Sequence, residues 1–286
     1  MAPLVEPFYD PATATVSYVV HGGAGSACAV VDPVLDFDQR SGRTATAQAD
    51  RILAYIAAQR LALAWLLETH VHADHLTAAP YLKARAGGRI AIGAGVVAVQ
   101  RTFGALFNAG PAFRADGSQF DHLFADGESF AIGDLAGRAL ATPGHTPDGV
   151  SYLVGDAAFI GDTMFMPDGG TARCDFPGGD ARLLYASLRR ILDLPAATRL
   201  FVCHDYQPGG RAPSWQTSVA AQRAANIHVR DGVDEAAFVA LRTERDRGLA
   251  PPVLLIPAVQ VNMRAGALPP AEANGVSYLK LPVDLL

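Results

Sequence analysis

One segment constrains the fold of this 286-residue chain more than any other: His70-Val71-His72-Ala73-Asp74-His75, which follows almost directly on the apolar run 61–67. It packs three imidazoles and a carboxylate into a single short stretch. Ligands so close in sequence share a focus only where the backbone turns, and imidazole with carboxylate is a donor set for zinc or iron. A buried strand ending in a ligand-bearing turn before a helix is therefore expected. A His-rich surface loop would read the same way, but compact His/Asp runs of this kind commonly bind metal.

The same placement recurs downstream. His145 stands in Thr142-Pro143-Gly144-His145-Thr146-Pro147 after the apolar run 135–141, Asp162 in Gly161-Asp162-Thr163 after 157–160, and His204 in Cys203-His204-Asp205-Tyr206 after 200–203. Any one of them alone reads as a loop residue satisfying local hydrogen bonds. Together they describe a cleft, because strand ends on one edge of a layered sheet converge in space.

With 50% hydrophobic and 18% charged residues, the chain can bury the core of one large domain or one and a half. Runs 13–21 and 27–31 flank Gly22-Gly23-Ala24-Gly25 in a hairpin pattern. The spacing of apolar residues predicts helices over 44–60, 76–85, 94–106 and 181–192. Strands are predicted over 61–67, 89–92, 129–132, 135–141, 151–154, 157–160 and 200–203. Hairpins interrupting a strand-helix alternation imply an α/β sandwich of packed layers rather than a doubly wound sheet. After His204 the composition shifts to Pro, Gly and Arg. Residues 1–228 are expected to form the catalytic domain, and 229–286 a C-terminal extension packed on the same domain.

A net charge of -5 without a basic run gives no attraction to nucleic acid. The first residues lack a basic stretch leading into an apolar one, and no apolar run reaches membrane-spanning length, so a cytoplasmic protein without a membrane partner is expected. Cys28, Cys174 and Cys203 have no paired spacing, which argues against disulfides or a structural zinc site. Gly93-Ala94-Gly95-Val96-Val97-Ala98 fits the dinucleotide fingerprint and follows an expected strand, but no second strand ends in the acidic partner, and it is set aside. His21, His122 and His228 read as surface or core-edge residues, and 242–247 as a solvated helix face.

Taken in order, Glu68-Thr69-His70-Val71-His72-Ala73-Asp74-His75, Pro143-Gly144-His145-Thr146, Gly161-Asp162-Thr163 and His204-Asp205-Tyr206 resemble the metallo-β-lactamase superfamily over about residues 16–206. With Ala172-Arg173-Cys174-Asp175-Phe176 and Val261-Asn262-Met263-Arg264, the chain looks most like the bacterial persulfide dioxygenases, also called sulfur dioxygenases. The resemblance implies an αββα sandwich with an appended C-terminal subregion, and one Fe(II) per chain held by His70, His145 and Asp162. His72, Asp74, His75 and His204 would orient ligands and water, or hold a second metal. The implied reaction oxidises glutathione persulfide with O2 to sulfite and glutathione, as in sulfide detoxification.

Arg173, Tyr206, Arg211, Asn262 and Arg264 are the candidates to bind glutathione, each arginine reading equally well as a structural ion pair. Cys174 is a candidate reactive thiol. Association as a homodimer is left open. The alternative is a binuclear zinc hydrolase of glutathione thioesters, similar to glyoxalase II, or of lactones, since every residue needed for two zinc ions is present. A non-enzymatic persulfide-binding protein on the same fold is the remaining reading.

Overall fold

Side-chain alternation along the strands decides the layering. In the computed structural model, which describes residues 2–285, the first half of the chain forms β1 (Leu4–Asp10), β2 (Thr15–His21), β3 (Ala27–Val31), β4 (Val34–Asp38), β5 (Arg43–Ala45), α1 (Ala47–Ala58), β6 (Ala62–Leu67), β7 (Leu76–Thr77), α2 (Ala79–Ala86), β8 (Arg89–Gly93), α3 (Val96–Leu106) and β9 (His122–Phe124). The second half forms β10 (Ser129–Ile132), β11 (Leu135–Ala141), β12 (Val150–Val154), β13 (Ala157–Phe159), α4 (Ala181–Leu192), β14 (Arg199–Phe201), β15 (Gln216–Ser218), α5 (Val219–Ala225), α6 (Glu235–Asp246) and α7 (Leu255–Asn262). One six-stranded sheet runs β1-β2-β3-β6-β8-β9 and another β10-β11-β12-β13-β14-β15, while β5-β4-β7 make a small third sheet.

Successive residues of a strand face opposite sides of its sheet, and here both sides are apolar. Along β3 and β6, Cys28, Val30 and Leu66 meet α1, α2 and α3, whereas Ala29, Val31, Trp65 and Leu67 face the other sheet. From that second sheet Ile132, Tyr152, Phe159 and Phe201 fill the same intersheet core. Its outer face, with Ala158 and Leu200, is covered by Leu184, Leu188 and Ile191 of α4. The result is the expected αββα sandwich.

The chain after His204 joins both outer layers. Leu255, Val259 and Met263 enter the core beneath α1 to α3, and Phe238 of α6 enters that beneath α4.

Several details differ from the sequence expectations. The edge strand β1 and the hairpin β4–β5 were not foreseen. The helix expected from residue 76 starts at Ala79, because Leu76 and Thr77 pair with β4. Residues 242–247 are not a uniformly solvated face: Arg242 and Asp246 are buried and paired with each other. Gly93 and Gly95 serve packing, since a Cβ there would lie 2.7 Å from the Asp148 carbonyl oxygen and 2.4 Å from that of Pro147. Among the described residues no helix is long and apolar enough to cross a membrane.

Candidate metal centre and its cavity

The ligand-type residues emerge where the two sheets end. The segment 70–75 follows β6, His145 follows β11, and Asp162 and His204 follow β13 and β14, whose parallel pairing sends both chains out at one edge. Their ligand atoms form two main groups, His70 with His145 and Asp162, and His72 with Asp74, His75 and His204, which adjoin where Asp162 also meets His204 beside Cys203.

In the first group the Nε2 atoms of His70 and His145 lie 3.8 and 3.7 Å from Asp162 Oδ2. Those separations exceed a hydrogen bond, so the three atoms surround a point without bonding one another. In the second, His204 Nε2 and Asp74 Oδ2 make a buried charge contact at 3.0 Å that is not aligned as a hydrogen bond. His75 Nε2, His72 Nδ1 and Asp162 Oδ1 are buried with no hydrogen-bond partner among the described residues. Buried polar atoms are nearly always paired, so unpaired donor atoms aimed at common points are what a metal-binding cluster leaves in a chain described alone.

Partners on the far side of the rings fix which nitrogen is free. The Arg173 carbonyl can only accept, so His145 donates Nδ1–H to it at 2.7 Å and turns its Nε2 lone pair to Asp162. Thr69 donates its hydroxyl proton to Asp32 Oδ2 at 2.8 Å, which leaves its oxygen to accept from His70 Nδ1 at 3.1 Å and frees His70 Nε2. Asp32 also accepts from the Thr69 amide at 2.7 Å and meets His72 Nε2 at 2.9 Å. His72 is thereby turned away from the first group. Such outer partners set tautomer and ring orientation in metal sites.

Asp32 itself has a positive φ of 48°, a conformation Asp tolerates better than most residues. The backbone of the ligand loop is tied down as well. Asn262 donates to the carbonyls of His72 and His75 at 2.9 and 2.8 Å and accepts from the Thr77 amide at 2.9 Å.

The electrostatics follow from burial and charge. Burial drives His70 and His72 well below the ordinary imidazole range, and neighbouring imidazoles add to the effect. Both are neutral at pH 7, the form whose lone pair can bind a metal. Burial alone would also lower His204, but the charges of Asp162 and Asp74 outweigh it and push it up to about 10. Burial opposes ionisation of Asp74, while His204 and His75 overcome that and hold it well below the carboxylate range. The space between these carboxylates stabilises positive charge, whether on His204 or on a cation.

The pattern of donors at these strand ends, on this sandwich, matches a known family. Residues 10–204 fit the profile of the metallo-beta-lactamase superfamily. The chain belongs to the metallo-beta-lactamase superfamily. It is 58% identical over 292 aligned positions to a probable metallo-hydrolase of Burkholderia pseudomallei, with 99% of each chain covered. It is 48% identical to the protein named glyoxylase B2 of Dictyostelium discoideum, covering 99% of this chain and 97% of that one. With the mitochondrial persulfide dioxygenase ETHE1 of Homo sapiens it shares 28% identity over 93% of its length and 90% of the relative's. Among solved structures, ETHE1 of Myxococcus xanthus superposes with a TM-score of 0.73 at 29% identity, covering 92% of this chain and all of that one.

In this superfamily member a cavity of about 1100 Å³ opens over the centre, lined by His145, Asp162 and Asp74 and walled by Phe165, Phe176 and Leu255 among others. Tyr206 lines it too, stacked on His204 at 5.6 Å with an 8° angle between the rings.

The other substrate candidates are placed differently. Arg173 reaches the cavity wall but is locked bidentate to Asp175, at 2.5 and 2.6 Å, and to the carbonyls of Ala250 and Leu249. Arg211 is held by Asp168 and Asp205. Asn262 is spent on the ligand loop, and Arg264 lies over the Phe113 ring at 4.3 Å; neither is among the cavity-lining residues. Cys174 is buried and its thiol is pushed up to about 12 by that burial, the opposite of the lowered pKa that makes a thiol reactive.

Sequence reasoning missed Asp32, although Val30-Val31-Asp32-Pro33 is an acid at the end of a buried strand, the same signal as the ligands. It also passed over His228, which is buried and lines the cavity.

Proposed function

We propose that the protein is an iron-dependent persulfide dioxygenase that oxidises glutathione persulfide with O2 to sulfite and glutathione, water supplying the third sulfite oxygen. The observation that carries this is the composition of the first donor group: two imidazoles and one carboxylate, His70, His145 and Asp162, with His72 turned to Asp32. A three-His group would suit a zinc hydrolase better. Two histidines and a carboxylate suit Fe(II), whose remaining positions supply the binding of a soft sulfur and dioxygen. The likeness to ETHE1 in both sequence and structure supports the same reading.

The chain's own residues have definable parts in it. Arg173 would keep His145 correctly protonated through its carbonyl, and its guanidinium, clamped to Asp175 and residues 249–250, holds that wall of the cavity in place. Phe165 and Phe176, apolar lining of the cavity beside Asp162 and His145, would limit water there. Asp74, His75 and His204 would orient solvent and ligands from the adjoining group. The buried, unpaired thiols fit a reducing compartment such as the cytoplasm.

The intact second group favours a specific rival, a two-zinc hydrolase of glutathione thioesters or lactones, and the Burkholderia relative is named a probable metallo-hydrolase. Protein prepared without added metal should hold about one iron per chain, consume O2 with glutathione persulfide and release sulfite. His145→Ala should lose the metal and the activity together. Two tightly held zinc ions with hydrolysis of lactoylglutathione in the absence of O2, and no sulfite from persulfide, would transfer the assignment to the hydrolase.

A further inference from the structure

Away from the metal-type donors, the same cavity carries a second polar cluster that the reading above leaves unused. His228 is 3% exposed and lines the cavity wall. Its Nδ1 accepts the Thr171 amide at 2.9 Å and lies 3.2 Å from the Thr171 hydroxyl. An amide N–H can only donate, so Nδ1 keeps its lone pair and the ring proton of neutral His228 sits on Nε2. That Nε2–H has no protein acceptor among the described residues. Burial first, then the charges of Arg242 and Arg245, lower the imidazole to about 4, with Asp246 opposing, so the ring is a neutral donor at pH 7.

The cluster is built for this orientation. Arg242, itself 3% exposed, donates to the Thr171 carbonyl at 3.0 Å and pairs with Asp246, so Thr171 is gripped by His228 on one side and Arg242 on the other. Gly170, at φ 79°, makes room for the ring: a Cβ there would fall 2.3 Å from His228 Nδ1. Arg245, one turn along α6 from Arg242, lines the cavity with an exposed guanidinium that has no carboxylate partner among the described residues. A neutral N–H beside a free guanidinium is a receptor for a carboxylate.

We infer that His228 and Arg245 form a carboxylate subsite, which takes the end of the substrate remote from the sulfur that reaches His145 and Asp162. The inference rests on the glutathione reading of the cavity. Glutathione carries two carboxylates, and its length separates them from the thiol. Thr171 and Arg173 belong to one short segment, so a molecule spanning the two polar regions would lie along that wall.

The test is calorimetric binding of glutathione and of its diethyl ester, together with steady-state kinetics on glutathione persulfide. Wild type should bind glutathione at least about tenfold more tightly than the ester, and that preference should vanish in Arg245→Ala. In the same variant KM for glutathione persulfide should rise about tenfold with kcat little changed, and Arg245→Lys should restore part of the loss. Because Arg245 is exposed and has no carboxylate partner among the described residues, its removal should not disturb folding; His228→Gln and Gly170→Ala probe the buried half. No glutathione binding by wild type, equal binding of acid and ester, or an unchanged KM in Arg245→Ala would overturn the subsite. Sulfite formation that persists with an unchanged KM would remove the subsite and leave the dioxygenase standing. Charge-dependent glutathione binding without O2 uptake would keep the subsite and remove the dioxygenase.

Discussion

At the scale of single residues, the centre depends as much on Asp32 as on the ligands that announce themselves in the sequence. Its two oxygens take the Thr69 amide, the Thr69 hydroxyl and His72 Nε2, and through Thr69 they determine which nitrogen of His70 is free. In Asp32→Asn the side-chain NH2 would oppose one of these donors, leaving a buried polar group unpaired at a cost of about 1–3 kcal/mol. Metal affinity is expected to fall roughly 10 to 100-fold, rather than collapse as it should when His145 is removed. Competition with a chelator would measure both; equal retention of metal by wild type and Asp32→Asn would detach Asp32 from the centre. The ligand types were legible because several His and Asp residues stand at strand ends in one repeated pattern. Asp32 was not, since a single Asp before Pro33 also reads as an ordinary turn residue, and only the fold brings it against residue 69. His228 was passed over for a similar reason: nothing near it in sequence shows that Thr171 and α6 enclose it.

At the scale of elements, longer runs with clear periodicity were legible to within a few residues, as with β11 and α4, whose observed limits coincide with the expected ones. The strands β4, β5 and β7 were not, because β5 and β7 have only three and two residues and the pairing of β4 with β7 depends on contacts distant in sequence. The role of α7 was hidden in the same way. Its residue Asn262 was expected at the substrate, whereas all three of its hydrogen bonds hold the loop 72–77. Asn262→Leu keeps the approximate volume but strands two carbonyls and one amide in a buried setting. Folding stability should drop by at least about 2 kcal/mol, read as a lower urea midpoint with an unchanged slope, and metal should be retained less tightly. A variant with lowered stability but wild-type metal affinity would show that α7 supports the fold without tuning the centre.

At the scale of the whole molecule, apolarity on both faces of the strands made the layered sandwich readable, while the composition shift after His204 implied a catalytic domain of residues 1–228 with 229–286 an extension packed on it. The packing argues for closer integration. Leu255, Val259 and Met263 share a core with Leu66 and Val71 beside the ligand loop, and burial of each such side chain contributes about 1.5–3 kcal/mol. Phe238 joins the layer of α4, Asp246 accepts the Cys174 amide at 2.8 Å, and Arg242 holds Thr171. Small domains are stable by only about 5–15 kcal/mol in total, so losing these contacts together with the Asn262 clamp exceeds what the remainder can absorb. A chain ending at residue 228 is therefore expected to lose cooperative unfolding and defined tertiary packing, seen as a missing near-ultraviolet dichroism signal and loss of bound metal. Should that shortened chain instead unfold in one sharp transition near the wild-type temperature and keep its metal, residues 1–228 would be an independent domain and 229–286 a true appendage. The cavity offers a second readout of the same experiment, because Arg245 and Leu255 on its wall come from the removed segment. Even a folded remnant should then lose discrimination between glutathione and its ester.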